Sequence, residues 1–187
     1  MRIIAGAWRG RALAAPPGDA TRPTADRVRQ ALFDRLVHAP WAGRATVEDA
    51  QVLDVFAGTG ALGLEALSRG AGHATFIESG RAALGALRAN VAACRAEARC
   101  TVLAADARHP PAGRACGLLF LDPPYGQDLA APALDALGSA GWIAPGALIV
   151  AEIGRDDALP WPDPVDDRIQ GAARVVAWRA QAVGKRP

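Results

Sequence analysis

This chain predicts an α/β fold built on a mostly parallel sheet, and three observations point to it. From residue 51 onward, short apolar runs alternate with segments of helical periodicity, the pattern of strands joined by crossover helices. The glycine loop Gly58-Thr59-Gly60 follows directly on the first run, where a parallel sheet presents its strand ends to a ligand. A later run, Gly117 to Leu121, feeds into Asp122-Pro123-Pro124-Tyr125, a stiff turn that carries a carboxylate and an aromatic ring.

Taken in order, residues 2–14 read as two short strands, Arg2-Ile3-Ile4 and Arg11-Ala12-Leu13, around a turn from Gly6 to Gly10. Thr24 is placed to cap a helix in which Val28, Ala31, Leu32 and Leu36 keep 3–4 spacing. Residues 40–44 read as a linker. Strands are then expected over 52–56, 74–78, 101–105, 118–121 and 147–152, with helices over 61–69, 82–98 and 129–139. Leu84, Leu87, Val91 and Cys94 line one face of the second helix. Prolines at 160, 162 and 164 interrupt the chain, and residues 167–170 and 174–178 suit a terminal antiparallel pair. The expected division is a basic N-terminal extension, 1–44, and a catalytic domain, 45–187.

A chain of 187 residues, 51% of them hydrophobic, can bury a real core, which excludes a disordered protein. The longest apolar stretch is too short to span a bilayer, and Trp8, Arg9 and Arg11 arrive before a signal-peptide core could form, so a cytoplasmic location is expected. Three scattered cysteines and three scattered histidines give no metal-ligand spacing. Charge is uneven. Residues 1–44 carry a net +5 and residues 45–187 a net −3, so an anionic partner is expected at the N-terminal end.

The spacing Gly58-x-Gly60-x-x-Gly63 satisfies the dinucleotide fingerprint formally, so the loop alone leaves NAD open. Two acids extend the pattern. Glu78 ends the second strand, where a carboxylate can accept both ribose hydroxyls, and Asp106 follows the third, where it can accept an adenine amine. Asp54, Phe56, Ala57, Gly58, Thr59, Gly60, Glu78, Asp106, Ala107 and Asp122 are therefore the expected cofactor contacts.

In the turn after the fourth strand, Asp122 and a carbonyl of the proline pair can each accept one hydrogen of a planar amine. Pro123 and Pro124 fix those acceptors in advance, and Tyr125, the one tyrosine of the chain, offers a ring for stacking. An exocyclic base amine needs this help, because its lone pair is delocalised into the ring. Cofactor crevice and amine slot together point to methyl transfer from S-adenosylmethionine to the exocyclic nitrogen of a base.

Four motifs carry a resemblance. They are Met1-Arg2-Ile3-Ile4-Ala5-Gly6-Ala7-Trp8-Arg9-Gly10-Arg11, Arg22-Pro23-Thr24-Ala25-Asp26-Arg27-Val28-Arg29-Gln30-Ala31-Leu32-Phe33, the run from Val52 through Gly60 to Gly70, and Leu121-Asp122-Pro123-Pro124-Tyr125-Gly126. They resemble the bacterial small-subunit (16S) ribosomal RNA guanine-N2 methyltransferase D family. The resemblance implies a Rossmann-like class I S-adenosylmethionine-dependent methyltransferase with a seven-stranded sheet and a small N-terminal hairpin-and-helix extension that contacts RNA. It implies transfer to N2 of one guanine, with Gly58, Gly60 and Glu78 on the cofactor and Asp122 to Tyr125 on the base. Gln170-Gly171 stands where the family commonly carries Tyr-Gly.

Arg2, Arg9, Arg11, Arg22, Arg27 and Arg29, with Thr24 at the helix start, are the expected RNA contacts. The partner is then small-subunit ribosomal RNA or the assembled subunit, with the protein a monomer. Three rivals remain: a DNA adenine-N6 methyltransferase using the same slot, a protein glutamine-N5 methyltransferase, and an RNA-binding module that kept the fold without the activity.

Overall fold

The computed structural model describes residues 1–16 and 23–180. Helix α1 (Pro23–His38) precedes β1 (Gln51–Val55), α2 (Ala61–Ser68), β2 (His73–Glu78), α3 (Arg81–Cys94) and β3 (Cys100–Ala104). Then come β4 (Cys116–Leu121), α4 (Ala130–Ser139), β5 (Ile143–Gly154), β6 (Asp166–Gln170) and β7 (Ala173–Arg179). The strands form one seven-stranded sheet in the order β3-β2-β1-β4-β5-β7-β6, with β1 to β5 parallel and β7 antiparallel to both its neighbours.

Alternation along the strands sorts side chains into two cores. Val52, Phe76, Leu118, Phe120 and Val150 pack against α1, α2, α3 and the N-terminal residues Ile3 and Leu13. Leu53, Val55, Leu119, Leu121 and Ile149 face the other way, onto α4, Trp142 and Trp178. Covering both faces is what a parallel sheet requires. The N-terminal residues belong to the first core rather than to a core of their own, and the Phe33 ring lies 5.5 Å from that of Phe120.

The N-terminal hairpin forms only one bridge, Arg2 to Ala12. The ladder stops because the next amides are taken elsewhere. Ile4 and Ala5 N–H donate to the Glu65 carboxylate at 2.8 and 3.0 Å, Ala7 N–H to the Ser68 carbonyl, and Trp8 N–H to the Ser68 hydroxyl. Gly6 makes this contact possible, since a Cβ there would stand 1.8 Å from the Ser68 carbonyl oxygen. Thr24 is the second residue of α1, after Pro23, and so does not occupy the cap position. The helix expected over 82–98 ends at Cys94, where Arg95 turns left-handed (φ 52°). The segment expected to be a linker is tied down, with Arg179 donating to the Trp41 carbonyl at 2.8 Å.

Candidate active site

Four strand ends converge on one cleft. Phe56, Glu78, Asp106 and Asp122 follow or end β1, β2, β3 and β4, and together with Tyr125 they line a cavity of about 550 Å³. Sheet order reverses between β1 and β4, so the cleft opens at the topological switch point, the usual ligand site of an open α/β sheet.

Phe56 leaves β1 at φ 58°, a strained conformation for a bulky residue, and swings the chain into the glycine loop. Gly60 closes the loop at φ 76°, and a Cβ there would stand 2.3 Å from Leu87 of α3. Two acids hold the loop amides. Asp54 accepts from Gly63 N–H at 2.9 Å, and Glu78 accepts from Gly58 N–H at 2.8 Å and Gly80 N–H at 2.6 Å. Asn90 ties the loop to the N-terminal segment, donating to the Thr59 carbonyl (2.9 Å) and the Ala14 carbonyl (3.0 Å).

The amine slot is clamped at both ends. Asp122 N–H donates to the Val55 carbonyl at 3.2 Å, and Gly126 N–H donates to Asp157. Pro123 is buried, whereas Asp122, Pro124 and Tyr125 open onto the cleft, Tyr125 with 45% of its surface exposed. The Tyr125 hydroxyl donates to Glu152 of β5. A second cavity, about 480 Å³, shares Phe56, Asp122 and Tyr125 with the first and adds Glu152; its other walls include Met1, Leu32, Ala57, Gly58, Phe120, Val150 and Val175. Gly171, of the Gln170-Gly171 pair, lines this chamber too.

Electrostatics separate the three acids. Although Asp122 opens onto the cleft, the surrounding walls strip water from its carboxyl, and that desolvation, and then the Glu152 charge, push it up to about 7. Asp54, 1% exposed, is pushed up to about 8 by burial against the opposing Gly63 hydrogen bond. Hydrogen bonds from Arg108 hold Asp106 well below the usual carboxylate range.

For Asp54 the linkage has a definite sign. Its native pKa lies above its ordinary value, so its contribution to stability is full below about pH 4 and is lost as pH rises toward 8. Asp54→Asn removes that ionisation. The stability of the variant relative to wild type, read from urea midpoints, is expected to rise steadily from pH 4 to pH 8; a pH-independent difference contradicts the assignment.

Several expected contacts land elsewhere. Asp54 is 1% exposed, accepts from the Gly63 amide, and lines the second cavity rather than the first. Ala107 turns its side chain into the core on the α4 side. Thr59 directs its hydroxyl at the Met1 sulfur, 3.4 Å away, while Ala57 and Gly58 remain in the loop. Arg2, Arg9, Arg11 and Arg27 are exposed, with Arg11 also donating to the Ala93 carbonyl. Arg29 is only 4% exposed: Asp26 at 2.9 Å, the Arg2 carbonyl and Glu65 draw its guanidinium inward, away from any phosphate. Arg22 lies outside the described residues. Glu152, Asp157 and Asn90 escaped the sequence reading. Glu152 left one signal, a charge set directly between the apolar run Leu148-Ile149-Val150-Ala151 and Ile153.

Among the described residues, no group of three or more His, Cys, Asp or Glu side chains could hold a metal ion, and no helix is long and apolar enough to cross a membrane.

The chain is similar to proteins already known. Ribosomal RNA small subunit methyltransferase D of Escherichia coli K12 is 44% identical over 161 residues, 86% of this chain and 78% of that protein. The solved structure of the Escherichia coli protein yhhF superposes with a TM-score of 0.83 at 38% identity, covering 97% of this chain and 98% of that one. The Thermus thermophilus 16S rRNA N2 G1207 methyltransferase, solved with S-adenosylmethionine and guanosine, is 19% identical and shares the fold, with a TM-score of 0.65 over 88% of this chain and 45% of that one. The sheet and its helices thus share the fold of that methyltransferase. Residues 1–177 match the family described as Conserved hypothetical protein 95, and this chain belongs to it, alongside the ribosomal RNA small subunit methyltransferases D.

Proposed function

We infer that this chain transfers a methyl group from S-adenosylmethionine to the exocyclic N2 amine of a guanine in small-subunit ribosomal RNA. One observation carries the reading: the Asp122-Pro123-Pro124-Tyr125 turn stands between an acid-lined cleft at the switch point and a second, largely apolar chamber.

The residues of the first cleft suit the cofactor. Glu78 is placed for the ribose hydroxyls and Asp106 for the adenine amine, with Phe56 beside them, while Ala57, Gly58 and Thr59 of the glycine loop line the adjoining chamber and allow close backbone approach there. Bound there, S-adenosylmethionine supplies an electrophilic methyl on a sulfonium. The protein's own part is to shape the nucleophile. Asp122 accepts one amine hydrogen and a main-chain carbonyl of the proline pair the other, bending the nitrogen so that its lone pair points across the slot. Because the turn is fixed by two prolines and by its bonds to Val55 and Asp157, little reorganisation is left for the reaction. Tyr125 stacks on the base. When the new N–C bond has formed, the surplus proton leaves the nitrogen through Asp122, whose pKa near 7 suits that transfer.

Glu78→Ala is expected to weaken cofactor binding by roughly 10–100-fold, since hydrogen bonds to a charged acceptor contribute about 1.5–3 kcal/mol each. Calorimetric titration checks this, and unchanged affinity removes Glu78 from the cofactor site.

Residues 1–44 form the RNA-contacting part of a cytoplasmic monomer. If Arg2, Arg9, Arg11 and Arg27 neutralise about four phosphates on single-stranded RNA, log affinity against log salt has a slope of about −3. A slope near zero takes the N-terminal arginines out of RNA binding.

The test of the reading itself is transfer of labelled methyl groups to unmodified small subunits, naked ribosomal RNA and duplex DNA. Label in either ribosomal substrate supports it. Label in DNA alone favours the adenine enzyme, and no saturable S-adenosylmethionine binding favours a silent module.

A further inference from the structure

We propose that Glu152 selects guanine, its carboxylate accepting the ring N1–H beside the amine that Asp122 holds. This inference rests on the guanine-N2 reading and names the group that makes the same site specific.

Parallel register pairs Leu121 of β4 with Ala151 of β5, so the next residues, Asp122 and Glu152, stand level at adjacent strand ends. Both line the second cavity, and Tyr125 lies with them there. The charge of Glu152 reaches Asp122, and its carboxylate accepts the Tyr125 hydroxyl. Among the described residues Glu152 has no ion-pair partner, although it continues a buried apolar strand. A half-buried charge without a cation is costly unless something else uses it. The Tyr125 bond takes one of about four acceptor positions on a carboxylate, holding the group in place with capacity left for a ligand.

Two carboxylates side by side offer acceptor oxygens, and they ask for donors on two adjacent ligand atoms. Guanine meets that demand, because its N2 amine adjoins the N1–H. The competing amines do not. Adenine N6 adjoins the N1 lone pair, cytosine N4 adjoins the N3 lone pair, and a glutamine carboxamide nitrogen adjoins its own carbonyl oxygen. Each would turn an acceptor toward Glu152, leaving a desolvated carboxylate unpaired against a lone pair. Slot and neighbour thus read two atoms of one base edge.

Glu152→Gln keeps the size of the side chain and supplies an N–H in place of the second carboxylate oxygen. Transfer to small ribosomal subunits is expected to lose about 10–100-fold in kcat/KM, the effect of one charged hydrogen bond, while S-adenosylmethionine affinity is retained. The discriminating probe is 2-aminopurine riboside, which keeps the 2-amine but has an acceptor at N1. Protein loaded with S-adenosylhomocysteine should bind guanosine at least about tenfold more tightly than this analogue, and Glu152→Gln should bind the two about equally. A variant that loses turnover yet keeps the preference for guanosine assigns Glu152 to holding Tyr125 and overturns its role in selection. Wild-type formation of N2-methylguanosine with an unaltered Glu152→Gln variant also overturns it, leaving the guanine-N2 reading intact. Wild type that forms no N2-methylguanosine overturns both.

Discussion

Asp122→Ala is expected to lower turnover by about 10²-fold or more while S-adenosylmethionine affinity stays near wild type. The asymmetry follows from position. The cofactor side of the cleft is held by Glu78, Asp106 and the glycine loop, whose bonds to Asp54, Glu78 and Asn90 do not pass through the Asp122 side chain. The turn also keeps its anchors, since Asp122 meets β1 through its backbone N–H and Gly126 is held by Asp157. What alanine removes is the acceptor that bends the amine and takes its proton. Ionised Asp122 is the active form, so wild-type kcat/KM should rise with pH through about 7. Stopped assays at saturating cofactor across pH 5.5–9 measure both effects. Turnover within a few-fold of wild type would take Asp122 out of the mechanism.

The second large effect concerns folding. Glu65 of α2 is fully buried, at 0% exposure, and serves four donors or charges at once: Ile4 N–H, Ala5 N–H, Arg69 Nε at 2.7 Å and Arg29 Nε at 3.8 Å. Glu65→Ala leaves the Arg69 guanidinium without its carboxylate, leaves Arg29 to Asp26 and the Arg2 carbonyl, and frees two amides in a space where Arg29 Nε and Arg69 Nη2 already lack hydrogen-bond partners. Removing one member of a buried ionic cluster costs roughly 3–5 kcal/mol, and a loss in that range is expected from urea unfolding. The same change should loosen the N-terminal segment, seen as faster hydrogen exchange at Ile4 and Ala5. A loss below about 1 kcal/mol would mean that the segment docks through its apolar contacts alone.

Much of this was legible in the sequence because the strands are buried on both faces and so appear as apolar runs with sharp ends. Phe56, Glu78, Asp106 and Asp122 could be placed at strand ends by counting, since a parallel sheet brings successive C-termini to one edge. What counting cannot give is the direction in which a side chain is spent. Asp54 and Arg29 have the composition of a ligand contact and a phosphate contact, yet local partners pull both inward, Gly63 N–H for one and Asp26 with Glu65 for the other. Glu65 was hidden for the opposite reason. On a helix buried almost all round, a single acid looks like an exposed residue until the N-terminal amides, some 60 positions away in sequence, are laid across it. That long-range pairing also explains why the N-terminal hairpin stays a single bridge.

The most direct measurement is the identity of the methylated nucleoside. Small ribosomal subunits methylated by this protein with labelled S-adenosylmethionine should, after digestion to nucleosides, carry the label in N2-methylguanosine. Label in N6-methyladenosine, or none in ribosomal RNA while label enters DNA or protein glutamine, would contradict the function assigned to the Asp122 slot.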